Sequence, residues 1–177
     1  MDSVNDYVDL VKAPWGKMFY DLLFAQLDIP HLPRLKILDL GSGLGVTANH
    51  FAAWHDITAI EPNEEMINNR LKENKYEQIQ GGVEKIAIHK DVFFDIVFCH
   101  NVLEYIEDKE PIVAELLRVL KSDGILSIVK HNRVGRVFKQ QFMQMTQKLS
   151  HYLMITPMIR ILIWERSIFT RMTLLWR

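Results

Sequence analysis

The sequence predicts an α/β protein built on a doubly wound parallel sheet of about five strands, and three observations carry that expectation. Apolar runs alternate with helix-like stretches along residues 35 to 130. The runs are apolar at consecutive positions, as in Phe93-Phe94-Asp95-Ile96-Val97-Phe98-Cys99, which marks strands covered on both faces. The first run breaks into Gly41-Ser42-Gly43-Leu44-Gly45, three glycines at alternate positions, before Val46-Thr47-Ala48-Asn49-His50-Phe51-Ala52 opens a helix. A turn without Cβ atoms there lets backbone N–H groups approach a bound molecule at the positive end of the helix.

Composition sets the class. The 177 residues are 49% hydrophobic and 24% charged with a net charge of −1, which excludes a global basic surplus for nucleic acid. An RNA partner must therefore be held by a local patch. Cys99 is the only cysteine, so no intrachain disulfide forms, and its apolar surroundings predict a small buried hydrophobe in a reducing setting. The acidic start Met1-Asp2-Ser3-Val4-Asn5-Asp6 leads into no apolar signal core, and no apolar stretch reaches the roughly 18 residues of a membrane span. A cytoplasmic protein without a membrane span is expected, with no metal centre.

Residues 15–27 carry Met18, Phe19, Leu22, Leu23, Ala25 and Leu27 at mainly helical spacing, and Pro30 and Pro33 end that helix. Leu35 to Leu40 is the first strand, closing on Asp39. Val46 to Trp54 is the next helix, Ile57-Thr58-Ala59-Ile60 the second strand, and Glu64 to Lys72 another helix. Glu61 stands 20 residues after Gly41, about the distance at which a strand–helix–strand unit delivers an acid to the next strand's end, where it can accept two ribose hydroxyls. The alternative is a surface turn or helix cap. Tyr76 to Gln80 is a third strand running into Gly81-Gly82-Val83-Glu84, and the fourth, Phe93 to Cys99, runs into His100-Asn101. His100 there is either a working group at the sheet edge or a hydrogen-bonded helix-start residue. Glu110 to Leu120 is an amphipathic helix with Ile112, Val113, Leu116, Leu117 and Leu120 on one face; Ser122-Asp123-Gly124 reads as a turn, and Gly124 to Lys130 as the fifth strand.

Four of these stretches, in this order, resemble the signatures of class I S-adenosylmethionine-dependent methyltransferases. Ile37 to Gly45 is similar to the first, Ile57 to Pro62 to the second, Phe94 to Ile106 to the fourth, and Glu115 to Leu126 to the helix, turn and strand that follow. The resemblance implies a Rossmann-like core with S-adenosyl-L-methionine as cofactor. Within the superfamily, His100, Val102-Leu103-Glu104-Tyr105 and Lys130-His131-Asn132-Arg133-Val134-Gly135 look most like the tRNA 5-carboxymethoxyuridine methyltransferases, which esterify a carboxylate on a wobble uridine. By that match Gly41, Ser42, Gly43, Glu61, Pro62, Val83, Glu84 and His100 carry over as cofactor contacts, while no residue carries over as catalytic. The implied partner is tRNA or a small-molecule methyl acceptor. The rival reading is a truncated remnant or interaction protein that at most binds the cofactor. A nicotinamide dehydrogenase is disfavoured by the Gly-Ser-Gly-Leu-Gly spacing.

Residues 1–139 read as this core, without the superfamily's usual last two strands, and 140–177 as an atypical tail. The tail has no glycine, one acid (Glu165), five basic residues and five of the chain's eight methionines. Two readings stand: an apolar, cationic segment, Tyr152 to Trp164, that forms a helix on the sheet or lies on a membrane or partner surface, and a frameshifted ending entered just after Lys139.

Overall fold

A computed structural model describes residues 3–31 and 33–129. The tail at 140–177, the 131–135 segment and the question of further strands lie outside the described residues.

Two helices precede the sheet. α1 (Val4–Lys12) adds an element to those expected: Val4, Tyr7, Val8 and Val11 form a helical stripe that Asn5, Asp6 and Asp9 interrupt in the sequence. Ser3 caps it, accepting the Asp6 amide at 3.2 Å, and Lys12 lies in its last turn where the macrodipole favours a cation. α2 (Pro14–Leu27) starts on a proline whose missing N–H costs nothing at a helix start, and ends at Asp28, whose φ of 45° breaks the helix. Gly16 lets the two helices meet closely, because a Cβ there would stand 2.8 Å from the Val11 carbonyl oxygen.

The sheet holds β1 (Lys36–Leu40), β2 (Asp56–Glu61), β3 (Glu77–Gln80), β4 (Phe94–His100) and β5 (Leu120–Val129), in the order β3-β2-β1-β4-β5. Pairing is parallel, with Leu38 opposite both Thr58 and Val97, and Ile60 opposite Ile79. Lys121 meets Asp95 at one end of β4 and Ser127 meets His100 at the other, so β5 runs the same way. Because the chain leaves β1 toward β2 and β3 and returns on the other side as β4, the order reverses between β1 and β4. That is where open α/β sheets hold their ligands.

Consecutive apolar residues follow from burial on both faces. On one face Leu38, Leu40, Ile60, Val97 and Cys99 pack with Leu116 and Val119 of α5 (Glu110–Val119) and with Ile86 of the 3-10 turn at Val83–Ile88. On the other, Ile37, Ala59, Ile96 and Phe98 pack with Ala48 and Phe51 of α3 (Val46–Phe51) and with Phe24 and Leu27 of α2. Cys99 is fully buried, as expected, and burial pushes its thiol up to about 12.

Several boundaries shift by one to three residues, α3 ending at Phe51 rather than Trp54, and two larger differences have identifiable reasons. α4 (Glu64–Asn68) stops short of Lys72 because the Leu71 amide is committed to the Leu44 carbonyl at 2.9 Å, pulling the chain back onto the glycine turn. The Ser122-Asp123-Gly124 turn is instead part of β5. Phe93 and Val92 donate to the carbonyls of Val119 and Arg118, and Lys121 pairs with Asp95 at 2.6 Å, which captures the chain as a strand from Leu120 onward.

Candidate functional site

The glycine turn and Glu61 are one hydrogen-bonded unit. Gly41 and Ser42 donate their amides to the Ile60 carbonyl at 2.8 and 3.0 Å, and Gly45 donates to the Ser42 carbonyl at 2.8 Å. The Glu61 carboxylate, 8% exposed, accepts the Gly43 amide on Oε2 at 2.8 Å and the Asn63 amide on Oε1 at 2.9 Å. Glu61 thus ties the turn after β1 to the turn after β2. A carboxylate has further lone pairs, so its capacity to accept from a ligand is not exhausted.

The glycines admit neighbours as well as any ligand. Gly41, at φ 71°, has the Val102 side chain where its Cβ would be, which brings the segment after β4 down onto the turn. Gly43, at φ 54°, has nothing nearer to a Cβ position than Tyr7 Cε1 at 3.8 Å. The open approach to the backbone is therefore at Gly43.

Pro62 is exposed at the start of the next turn, where the Asn63 side chain caps α4 by accepting the Glu65 and Met66 amides. Gly81 donates to the Glu61 carbonyl at 3.1 Å, so the loop after β3 joins the same edge. Val83 there is half-buried against the core. Glu84 is exposed and turned back on its own loop: its Oε1 accepts the Gly82 amide at 2.9 Å, and that bond chiefly holds its carboxyl below the usual range. Arg118 on α5 steadies this loop, donating to the carbonyls of Ile86 and His89 and pairing with Asp91 and Glu115.

His100 ends β4 with Nε2 3.0 Å from Ser127 Oγ and its ring tilted against Phe98. Burial pushes its pKa down to about 4, so it is neutral at pH 7. Its Nδ1, Ser42 Oγ and Asp39 Oδ2 are buried without a hydrogen-bond partner among the described residues. Buried polar atoms of this kind belong where a ligand or water completes the bonding.

Asp39 is a site group the sequence analysis passes over as the end of a strand. It is 3% exposed one residue before the end of β1, hydrogen-bonded by the Ala48 amide, and burial, with a smaller contribution from the Glu61 charge, raises it to about 7. Its one signal was a charge inside an otherwise apolar run.

The two buried groups predict opposite pH effects on stability. Asp39, with its folded pKa above the unfolded value, loses stability as pH rises from about 4 through 7; His100, with its folded pKa below the unfolded value, loses it as pH falls from about 6.5 toward 4. Thermal melts across pH 4 to 8 should show Asp39→Asn removing the alkaline loss and His100→Gln the acid one. A pH profile identical to wild type in both variants would contradict the burial of these groups.

Residues 38–128, spanning the glycine turn, Glu61, the β3 loop and His100, match the family described as methyltransferase domain. The ubiquinone biosynthesis O-methyltransferase of Rickettsia akari (strain Hartford) is 31% identical over 114 residues, 61% of this chain and 45% of the relative. The tRNA 5-carboxymethoxyuridine methyltransferase of Escherichia coli (strain K12) is 28% identical over 111 residues, 58% of this chain and 42% of the relative. The chain thus spans less than half the length of these relatives. Among solved structures, the Haemonchus contortus phosphoethanolamine N-methyltransferase 1 in complex with phosphoethanolamine and S-adenosylhomocysteine superposes with a TM-score of 0.54 at 18% identity, covering 62% of this chain and 25% of that one. By the match over half its length and by the order of its parallel sheet, the chain belongs to the methyltransferase domain family and has its Rossmann-like fold.

Proposed function

We propose that this chain binds S-adenosylmethionine across the carboxyl ends of β1, β2 and β4, and transfers its methyl group to a carboxylate oxygen on a tRNA wobble uridine or on a small molecule. The observation that carries the reading is the Gly43–Glu61 bond. It fixes a buried carboxylate beside Gly43, the glycine of the turn with an open approach, and among the described residues Asp39 Oδ2, Ser42 Oγ and His100 Nδ1 have no partner. These residues fit the cofactor: Glu61 accepts the ribose hydroxyls, Gly41, Ser42 and Gly43 receive the methionine end, and Pro62, Val83 and Glu84 border the nucleoside.

The bound cofactor supplies a methyl group on a sulfonium cation, which an aligned nucleophile displaces in line. The chain's own contribution is position and exclusion of water. An acceptor that carries a proton needs a base beside it to remove that proton. An acceptor already ionised at neutral pH suits this edge, and a carboxylate is one. The relative that acts on tRNA is named for a carboxymethoxy group, which favours the same acceptor chemistry.

The test is transfer of labelled methyl groups to undermethylated bulk tRNA and, in parallel, to a panel of small carboxylic acids. Base-labile label on either, as a methyl ester gives, supports the reading. Binding of S-adenosylhomocysteine with no transfer to either would leave a cofactor-binding protein only.

A further inference from the structure

The Tyr7 side chain brings α1 onto the glycine turn. Its Cε1 is the atom nearest to the Cβ position of Gly43, and its hydroxyl lies 3.3 Å from that of Tyr20 on α2. Tyr20 is itself held edge-on to Phe19, with ring centroids 5.2 Å apart, and tilted against Phe24 at 5.9 Å. Asp39, Glu61 and Tyr105 all act electrostatically on the Tyr7 phenol, which burial raises above its ordinary range. Tyr7 thus lies against the open glycine of the turn and is tied to α2 through Tyr20.

We propose that the Tyr7 ring forms the wall of the cofactor pocket facing the sulfonium and favours the charged cofactor over its neutral demethylated product, with Tyr20 as the positioning residue. This rests on the S-adenosylmethionine reading above. If the ribose is at Glu61 on the β2 side, the sulfur-bearing end extends past Gly43 toward β4, and that is the span Tyr7 covers. An aromatic face attracts a cation, most strongly where water is excluded. The product, a neutral thioether, gains nothing comparable. A pocket wall with this preference releases product and retains substrate.

The test compares calorimetric affinities of the full chain for sinefungin, which carries an ammonium group near the methyl position, and for S-adenosylhomocysteine, which carries no charge there. Tyr7→Leu should weaken sinefungin by about fivefold or more and change S-adenosylhomocysteine by less than about twofold, the scale of one cation–aromatic contact. Tyr7→Phe keeps the ring but loses the bond to Tyr20, so Tyr7→Phe and Tyr20→Phe should both lower the ratio partway, and less than Tyr7→Leu does. Equal weakening of both ligands in Tyr7→Leu, or no change in either, overturns the assignment. Should Tyr7→Leu not fold, hydrogen exchange on the wild-type chain decides: sinefungin should slow the amides of residues 4–12 more than S-adenosylhomocysteine does, and equal protection overturns the proposal. A wild-type chain that binds neither ligand overturns the cofactor reading itself, an outcome distinct from all of these.

Discussion

Gly41→Val is expected to abolish S-adenosylhomocysteine binding and to destabilise the chain. Two independent effects act at this position. The backbone at φ 71° is a left-handed conformation that a β-branched residue almost never adopts, at a cost of about 1–3 kcal/mol. The new side chain also points into Val102, which must move away with the segment after β4. The Gly41 and Ser42 bonds to the Ile60 carbonyl are then lost together with the turn they shape. Gly43→Ala separates strain from collision: it shares the positive φ, but its Cβ meets only Tyr7 at an ordinary 3.8 Å. Calorimetry together with urea denaturation should place Gly43→Ala between wild type and Gly41→Val in stability. Normal binding by a folded Gly41→Val variant would reduce the glycine turn to a connection.

Glu61→Ala should weaken binding by more than about tenfold, the loss of a charge-assisted bond of about 1.5–3 kcal/mol. The structure adds a second expectation. The Gly43 and Asn63 amides lose their acceptor as well; Asn63 is exposed and water can replace it, but Gly43 is half-buried, so stability falls too. Glu61→Gln separates the two roles. It keeps one acceptor oxygen for the turn but offers the ribose no charge, so it should lose affinity with less loss of stability than Glu61→Ala. Unchanged affinity in a folded Glu61→Ala chain would place the ribose elsewhere.

What the sequence made legible is what is local. The three alternate glycines mark a strand-to-helix turn by their spacing alone, and Glu61 is found because one helix and one strand consume a nearly constant length of chain. The sheet follows from runs such as Phe93 to Cys99, whose consecutive apolar residues only a doubly covered strand can bury. Tertiary contacts hid the rest. α1 escapes because its acidic residues interrupt a four-residue stripe, and its place over the glycine turn depends on packing against α2. Asp39 looks like a strand end, since nothing in the sequence says that its carboxyl is buried beside Glu61. Ser122-Asp123-Gly124 has the composition of a turn, but the stretch lies beside β4, with Lys121 paired to Asp95, and continues as a strand. The Glu84 carboxyl, a cofactor contact by resemblance, also accepts the Gly82 amide on Oε1, a local bond that the sequence does not announce.

The central claim is that the edge assembled from the glycine turn and Glu61 holds the nucleoside and methionine ends of one molecule. Calorimetric titration of the chain with S-adenosylhomocysteine at pH 7 tests it most directly. The account predicts saturable binding at one site per chain in the micromolar range, about −8 kcal/mol, abolished by Gly41→Val and weakened by Glu61→Ala. A wild-type chain that shows no binding up to high micromolar ligand contradicts it.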